Sequence, residues 1–241
     1  MNAIEIKDLT KRFGERTAVD SLSLSVEKGE FFALLGQNGA GKTTTIRMLC
    51  CLLQPTSGDA LLLGDSIVHN PGAVKQKLNV SPQETAVAPK LSVRENLELI
   101  SEIYGFGKKA AKQKAEEMLT AFGLADRAKD RAQSLSGGLQ RRLSIAMALI
   151  SDPQIIFLDE PTLGLDIRAR RDLWRHLTEL KGKITVILTT HYLEEAEALS
   201  DRIAIMDRGK LQAVGTADEL KAQTGKPDLE EVFLALTEIE Q

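Results

Sequence analysis

The segment that most restricts this chain is Gly36-Gln37-Asn38-Gly39-Ala40-Gly41-Lys42-Thr43, a match to the pattern G-x-x-x-x-G-K-[ST]. It follows the apolar run Phe31 to Leu35 and opens a helix candidate, Lys42 to Leu53, which Pro55 and Gly58 stop. A strand feeding a glycine loop and then a helix aims backbone N–H groups and a helix N-terminus at one point, which suits an anion. The glycines let successive amides converge there. Lys42 can reach the outer phosphates of a nucleoside triphosphate, the Thr43 hydroxyl can hold Mg²⁺, and Thr44 completes the set. Standing alone, the pattern also reads as an ordinary glycine-rich turn, so its context decides.

That context is a strand-helix alternation. Ile4 and Ile6, then Leu22, Leu24 and Val26, repeat with the period of two expected of strands; Lys28-Gly29-Glu30 is a turn and Ala60 to Leu63 a further strand. From Val93 to Leu149 the pattern turns helical, with Leu97, Ile100 and Ile103 on one face and a charged stretch from Lys108 to Glu117. Strands then return at Ile155 to Leu158 and Ile184 to Thr189. They are interleaved with a helix bearing Leu173, Trp174, Leu177 and Leu180 and another from Leu193 to Leu199, an order that predicts a largely parallel sheet. Ile203 to Met206 and Leu211 to Val214 flank Asp207-Arg208-Gly209-Lys210 as a hairpin, and Leu229 to Leu236 reads as a terminal helix. The expectation is one α/β domain. Core and β part fall at about 1–85 and 150–215, a helical insert at about 86–149 and a helical tail at about 216–241.

Composition removes several functions. With 241 residues the chain can bury a sizeable core without staples, and its two cysteines, the neighbours Cys50 and Cys51, cannot make the spaced pairs of a zinc site. A net charge of −3 gives no overall positive field for nucleic acid or anionic lipid. The opening fifteen residues alternate apolar and charged side chains, unlike a secretion signal, and no run approaches the ~18 apolar residues of a membrane span. The expectation is a chain that is neither secreted nor membrane-spanning.

A second chemical signal is Ile155-Ile156-Phe157-Leu158-Asp159-Glu160, a buried-strand run ending in two carboxylates. The carboxyl end of such a strand is where open α/β sheets place ligands. Asp159 would meet a metal beside Thr43, and Glu160 would take a proton from an attacking water. Read by itself the pair is equally a solvated acidic strand end.

Three further segments carry a family resemblance: Leu135-Ser136-Gly137-Gly138, Pro161-Thr162-Leu163-Gly164-Leu165-Asp166 and Thr189-Thr190-His191. With Gly36–Thr43 and Asp159-Glu160, their order and spacing resemble the nucleotide-binding subunit of ABC transporters over nearly the whole chain. The resemblance implies the ABC ATPase fold, an α/β P-loop NTPase core with a mostly parallel sheet, an N-terminal antiparallel β subdomain and a helical insert. It implies ATP and Mg²⁺ as cofactors, hydrolysis with Glu160 as base, Lys42 and His191 on the γ-phosphate, and Thr43, Gln83 and Asp159 around the metal. Phe13, before Gly14, takes the place of the residue that stacks on adenine. Ser136, Gly137 and Gly138 would cover the nucleotide held by a second subunit, with Asp166 at the interface.

The same resemblance extends to Thr189–Glu197, Asp201–Gly209 and Leu229–Leu236, which look like the ATPases paired with ABC-2-type permeases, mostly exporters. It implies a homodimer of ATPase subunits, peripheral on the cytoplasmic face of a membrane, driving a separate transmembrane permease, with no nucleic acid bound. A soluble ABC ATPase of translation or DNA repair is the alternative; those usually carry two nucleotide-binding units or a long coiled-coil insert. An Asn-Lys-x-Asp segment for guanine is missing, and a small-molecule kinase leaves Leu135–Gly138 unexplained. The family usually has Gln after the two glycines, whereas this chain has Leu139. Arg141 and Arg142 read as a solvated or interface-facing basic turn.

Overall fold

The computed structural model describes residues 1–237; the last part of the expected tail, 238–241, lies outside the described residues. The chain opens with two twelve-residue strands, β1 (Asn2–Phe13) and β2 (Arg16–Glu27), paired antiparallel. Both are bent by residues with positive φ, Asp8 and Ser21, where the register shifts. Strand β3 (Phe31–Leu35) leads to helix α1 (Lys42–Leu49), and β4 (Ser57–Leu62) and β5 (Asp65–Ser66) complete a sheet of order β2-β1-β4-β5. Helix α1 stops four residues short of the expected Leu53. Cys51 has φ 55°, and the amides of Leu52 and Leu53 both return to the carbonyl of Arg47.

Helix α2 (Pro71–Lys75) and strand β6 (Leu78–Ser81) precede the helical block of α3 (Val93–Ile103), α4 (Lys108–Ala121) and α5 (Gly137–Leu149). On α3, Leu97 is fully buried but Ile103, expected on the same face, is 67% exposed. Strand β7 (Ile155–Asp159), α6 (Ile167–Thr178), β8 (Thr185–Thr190) and α7 (Leu193–Leu199) then alternate. The hairpin β9 (Arg202–Asp207) and β10 (Lys210–Gly215) turns at Arg208-Gly209, and α8 (Ala217–Thr224) and α9 (Leu229–Thr237) follow.

The second sheet runs β10-β9-β3-β8-β7-β6, parallel except for β10 at its edge. Every residue of β3, β7 and β8 is buried, which fits parallel strands covered on both faces. Phe32 and Leu34 pack with α1 and the antiparallel sheet, while Ile156, Leu158, Val186 and Leu188 pack under the helical block and α6. Leu229, Val232 and Phe233 of α9 bury against Ile203 and Ile205 of β9.

This topology positions the site. Neighbouring strands β3, β8, β7 and β6 are in parallel register, with Leu35 beside Thr190, Asp159 beside Thr189 and Ser81 beside Leu158. Their carboxyl ends therefore deliver Gly36, His191, Glu160 and Pro82-Gln83 to one edge of the sheet.

Candidate active site

Gly41 enters α1 with φ 102°, and a Cβ there would meet the Ala18 carbonyl oxygen at 2.5 Å, so the β2 backbone passes too close for any other residue. No side chain caps α1, which leaves the amides of its first turn free for an anion. Around them is a cavity of about 240 Å³ lined by Gln37 to Thr44, with Gln83, Glu160 and His191 on its other walls. Gly36 lies just beneath, its amide donating to the Thr190 carbonyl at 3.3 Å.

Lys42 is only 5% exposed. Its ammonium donates to the carbonyls of Gly36 at 2.7 Å and Gln37 at 3.3 Å, and stands 3.3 Å from a carboxylate oxygen of Glu160. The other oxygen of Glu160 is 2.7 Å from His191 Nδ1. Lys42, Glu160 and His191 thus form one connected row where the start of α1 meets the ends of β7 and β8. Glu160 itself has φ 47°, an uncommon backbone for a residue with a Cβ, and its N–H donates to Thr189 at both the carbonyl, 3.1 Å, and Oγ1, 3.0 Å. The Thr189 hydroxyl in turn donates to Asp159 Oδ1 at 2.5 Å.

Thr43 Oγ1 donates to the same Asp159 oxygen at 3.2 Å. The residues fit a hard divalent cation: one hydroxyl and one carboxylate converge there, and the Gln83 side chain borders the cavity. Among the described residues no group of three or more His, Cys, Asp or Glu could hold a metal, so a cation here would share oxygens with a bound phosphate, as Mg²⁺ commonly does.

The model of the ABC transporter family matches residues 19–163 of this chain. The chain belongs to the ABC transporter family of ATPases. It is 44% identical over 224 residues, 92% of this chain and 71% of the relative, to the daunorubicin resistance ATP-binding protein DrrA3 of Streptomyces coeruleorubidus. It is 43% identical over 239 residues to the probable multidrug ABC transporter ATP-binding protein YbhF of Escherichia coli K12, covering 97% of this chain but only 41% of that protein. The dimeric post-hydrolysis state of the ATP-binding cassette MJ0796 bound to ADP and Pi superposes with a TM-score of 0.79 at 27% identity, covering 88% of this chain and 98% of that one.

In this ABC ATPase not every expected nucleotide residue lines the cavity. Phe13 ends β1 half exposed, with the Lys11 ammonium 5.2 Å from its ring centre. Ser136 caps α5, accepting from the Leu139 amide at 3.4 Å, and Ser136 and Gly137 are exposed outside the cavity of their own subunit. A Cβ on Gly138 would meet Ala169 Cβ at 2.9 Å, so this helix start packs on the start of α6. That second helix is capped by Asp166, which accepts from Arg168 and Ala169 at 2.9 Å each.

Arg16, Ala18 and Leu163 also line the cavity and were not singled out by sequence; Leu163 lies inside the quoted Pro161–Asp166 segment, whereas nothing in the local pattern marks Ala18. Arg141 overturns its reading as a solvated or interface-facing turn: it is 3% exposed, inside α5, with four backbone carbonyls accepting from it. Arg142 is half buried and pairs with Asp172 at 3.2 Å. Among the described residues no helix is long and apolar enough to cross a membrane.

Proposed function

We propose that this ABC ATPase is the energy-supplying subunit of an exporter, closing as a homodimer around two Mg·ATP and driving a separate membrane permease of the ABC-2 type. The observation that carries the reading is the connected row Lys42–Glu160–His191 on the wall of the cavity around the glycine loop, with the Thr43–Asp159 pair beside it. ATP binds with its phosphates on the open amides of the loop and of the first turn of α1, Lys42 on the γ-phosphate and Phe13 against the base. Glu160 takes the proton from the attacking water, and His191, 2.7 Å from it, orients the carboxylate and meets the γ-phosphate. Thr43 and Asp159, with Gln83, would hold Mg²⁺, which when bound neutralises charge on the β- and γ-phosphates.

Ser136 and Gly137, exposed at a helix start, and the half-buried Gly138 supply the cover for the phosphates of the partner subunit. A cavity of about 240 Å³ is smaller than the ~300–1,000 Å³ of a complete small-molecule site, in keeping with half a site per subunit. Hydrolysis removes the γ-phosphate that bridges the halves, so the dimer is a two-state device. Relatives named for drug resistance and multidrug transport support export, and the permease sets the cargo. The subunit then sits on the cytoplasmic face of a membrane, held there by that permease, and binds no nucleic acid.

The test is capture from detergent-solubilised membranes with tagged Glu160→Gln protein, ATP and Mg²⁺. A polytopic membrane protein in stoichiometric amount is the expected result. Ribosomes or DNA without such a partner would turn the assignment toward a soluble ATPase.

A further inference from the structure

Burying a guanidinium is costly unless its donors are paired. Arg141 is 3% exposed, and desolvation is the main reason its pKa falls to about 10. The attraction of Asp159 and Glu195 opposes that fall. Its hydrogen bonds go not to a carboxylate but to backbone carbonyls. Nε donates to Pro161 at 2.9 Å, Nη2 to Asp159 at 2.9 Å, and Nη1 to Pro82 and, at 3.4 Å, to Gln83.

The identity of those carbonyls carries the argument. Asp159 and Pro161 are the residues on either side of Glu160, whose φ of 47° is strained for a residue with a Cβ and persists only where surroundings impose it. Thr189 holds the Glu160 amide from one strand, and Arg141 holds the carbonyls before and after it from helix α5. The remaining arm of the fork reaches the segment that carries Gln83. A merely space-filling residue would not need a planar five-donor fork spanning two chain segments.

We infer that Arg141 is a positioning residue for hydrolysis: by clamping the carbonyls that flank Glu160 and those of Pro82 and Gln83, it fixes the aim of the base and ties both segments to helix α5. The inference rests on the reading of Glu160 as base and Gln83 as a metal-side residue. Helix α5 begins at Ser136-Gly137-Gly138, so the cover offered to the second subunit and the base of the first share one rigid element.

The experiment compares Arg141→Lys and Arg141→Gln with the unaltered full chain, measuring turnover against ATP and against Mg²⁺, and ATP affinity at equilibrium. Lysine keeps the charge but offers its donors from one nitrogen and cannot span both segments. Turnover is referred to the fraction that binds ATP, so instability and misplacement are read separately. The expected result is kcat at least tenfold lower in Arg141→Lys, ATP affinity within about twofold because the Lys42 loop is untouched, and a higher Mg²⁺ concentration at half-activity. Unchanged kcat per ATP-binding subunit would overturn the inference, as would an Arg141→Lys chain that cannot be recovered folded, since either makes the residue purely structural. Glu160→Gln in the same assay separates the two levels. If it turns over normally, the base assignment itself fails; if it is inactive while Arg141→Lys is normal, only the role of Arg141 falls.

Discussion

Helices α1 and α5 both begin at glycines beside an exposed loop, yet the two starts are built differently. Gly41 brings the chain into α1 with φ 102° and no side-chain cap, and buried Lys42, Asp159 and Glu160 stand around it. Ser136 caps α5 in an extended conformation, is exposed, and lies outside the cavity around the glycine loop. The first start leaves amides open beside paired charged groups that would be expensive to bury without one another. The second has its Leu139 amide capped within the chain and carries an exposed serine. The difference teaches that the charged groups and the exposed helix start are separate pieces of the molecule; in the function proposed above, a second subunit brings them together.

The comparison breaks most visibly at Glu160. Glu160→Gln is expected to lower turnover by about 10²–10⁴-fold, the usual contribution of a general base, while ATP affinity stays near that of the unaltered chain. Fast steady-state hydrolysis by that variant would move the base elsewhere. A smaller effect is expected at Lys42. Lys42→Ala should weaken ATP binding by roughly 10- to 150-fold, corresponding to about 1.5–3 kcal/mol for a charge-assisted hydrogen bond, and titration calorimetry reads it directly. Unchanged affinity would detach the glycine loop from phosphate. Smallest is Phe13, half exposed at the strand end. Phe13→Ala should cost ATP about 1–2 kcal/mol of stacking, with Phe13→Trp retaining it; equal affinity in both variants would leave Phe13 a surface residue under Lys11.

How much of this was legible in the sequence follows from what each element is built of. Strands β3, β7 and β8 are built on the apolar runs Phe31–Leu35, Ile155–Leu158 and Val186–Leu188 and could be read directly, as could the loop and the two carboxylates that follow. Strand β6 could not, because Leu-Asn-Val-Ser places a polar residue in a buried position: Asn79 is satisfied by the Ala148 carbonyl, Ser151 and Tyr104, all distant in sequence. The end of α1 was missed for a local reason, since Cys51 takes a left-handed backbone that its side chain does not advertise. Arg141 was misread because an arginine pair near a helix start looks solvated, and only the fold brings Pro82, Asp159 and Pro161 around it. Arg16 and Ala18 escaped likewise, as residues of another segment folded over the loop. What is local in the chain was readable; what depends on carbonyls and walls supplied from afar was not.

The most direct measurement is the mass of Glu160→Gln protein by light scattering, with and without ATP and Mg²⁺, alone and combined with Ser136→Arg. The account predicts that ATP doubles the mass from 26.4 kDa in Glu160→Gln, and that adding Ser136→Arg abolishes the doubling while ATP affinity is retained. A chain that stays at 26.4 kDa under saturating ATP, or that dimerises equally well with arginine at position 136, would contradict a site divided between two subunits.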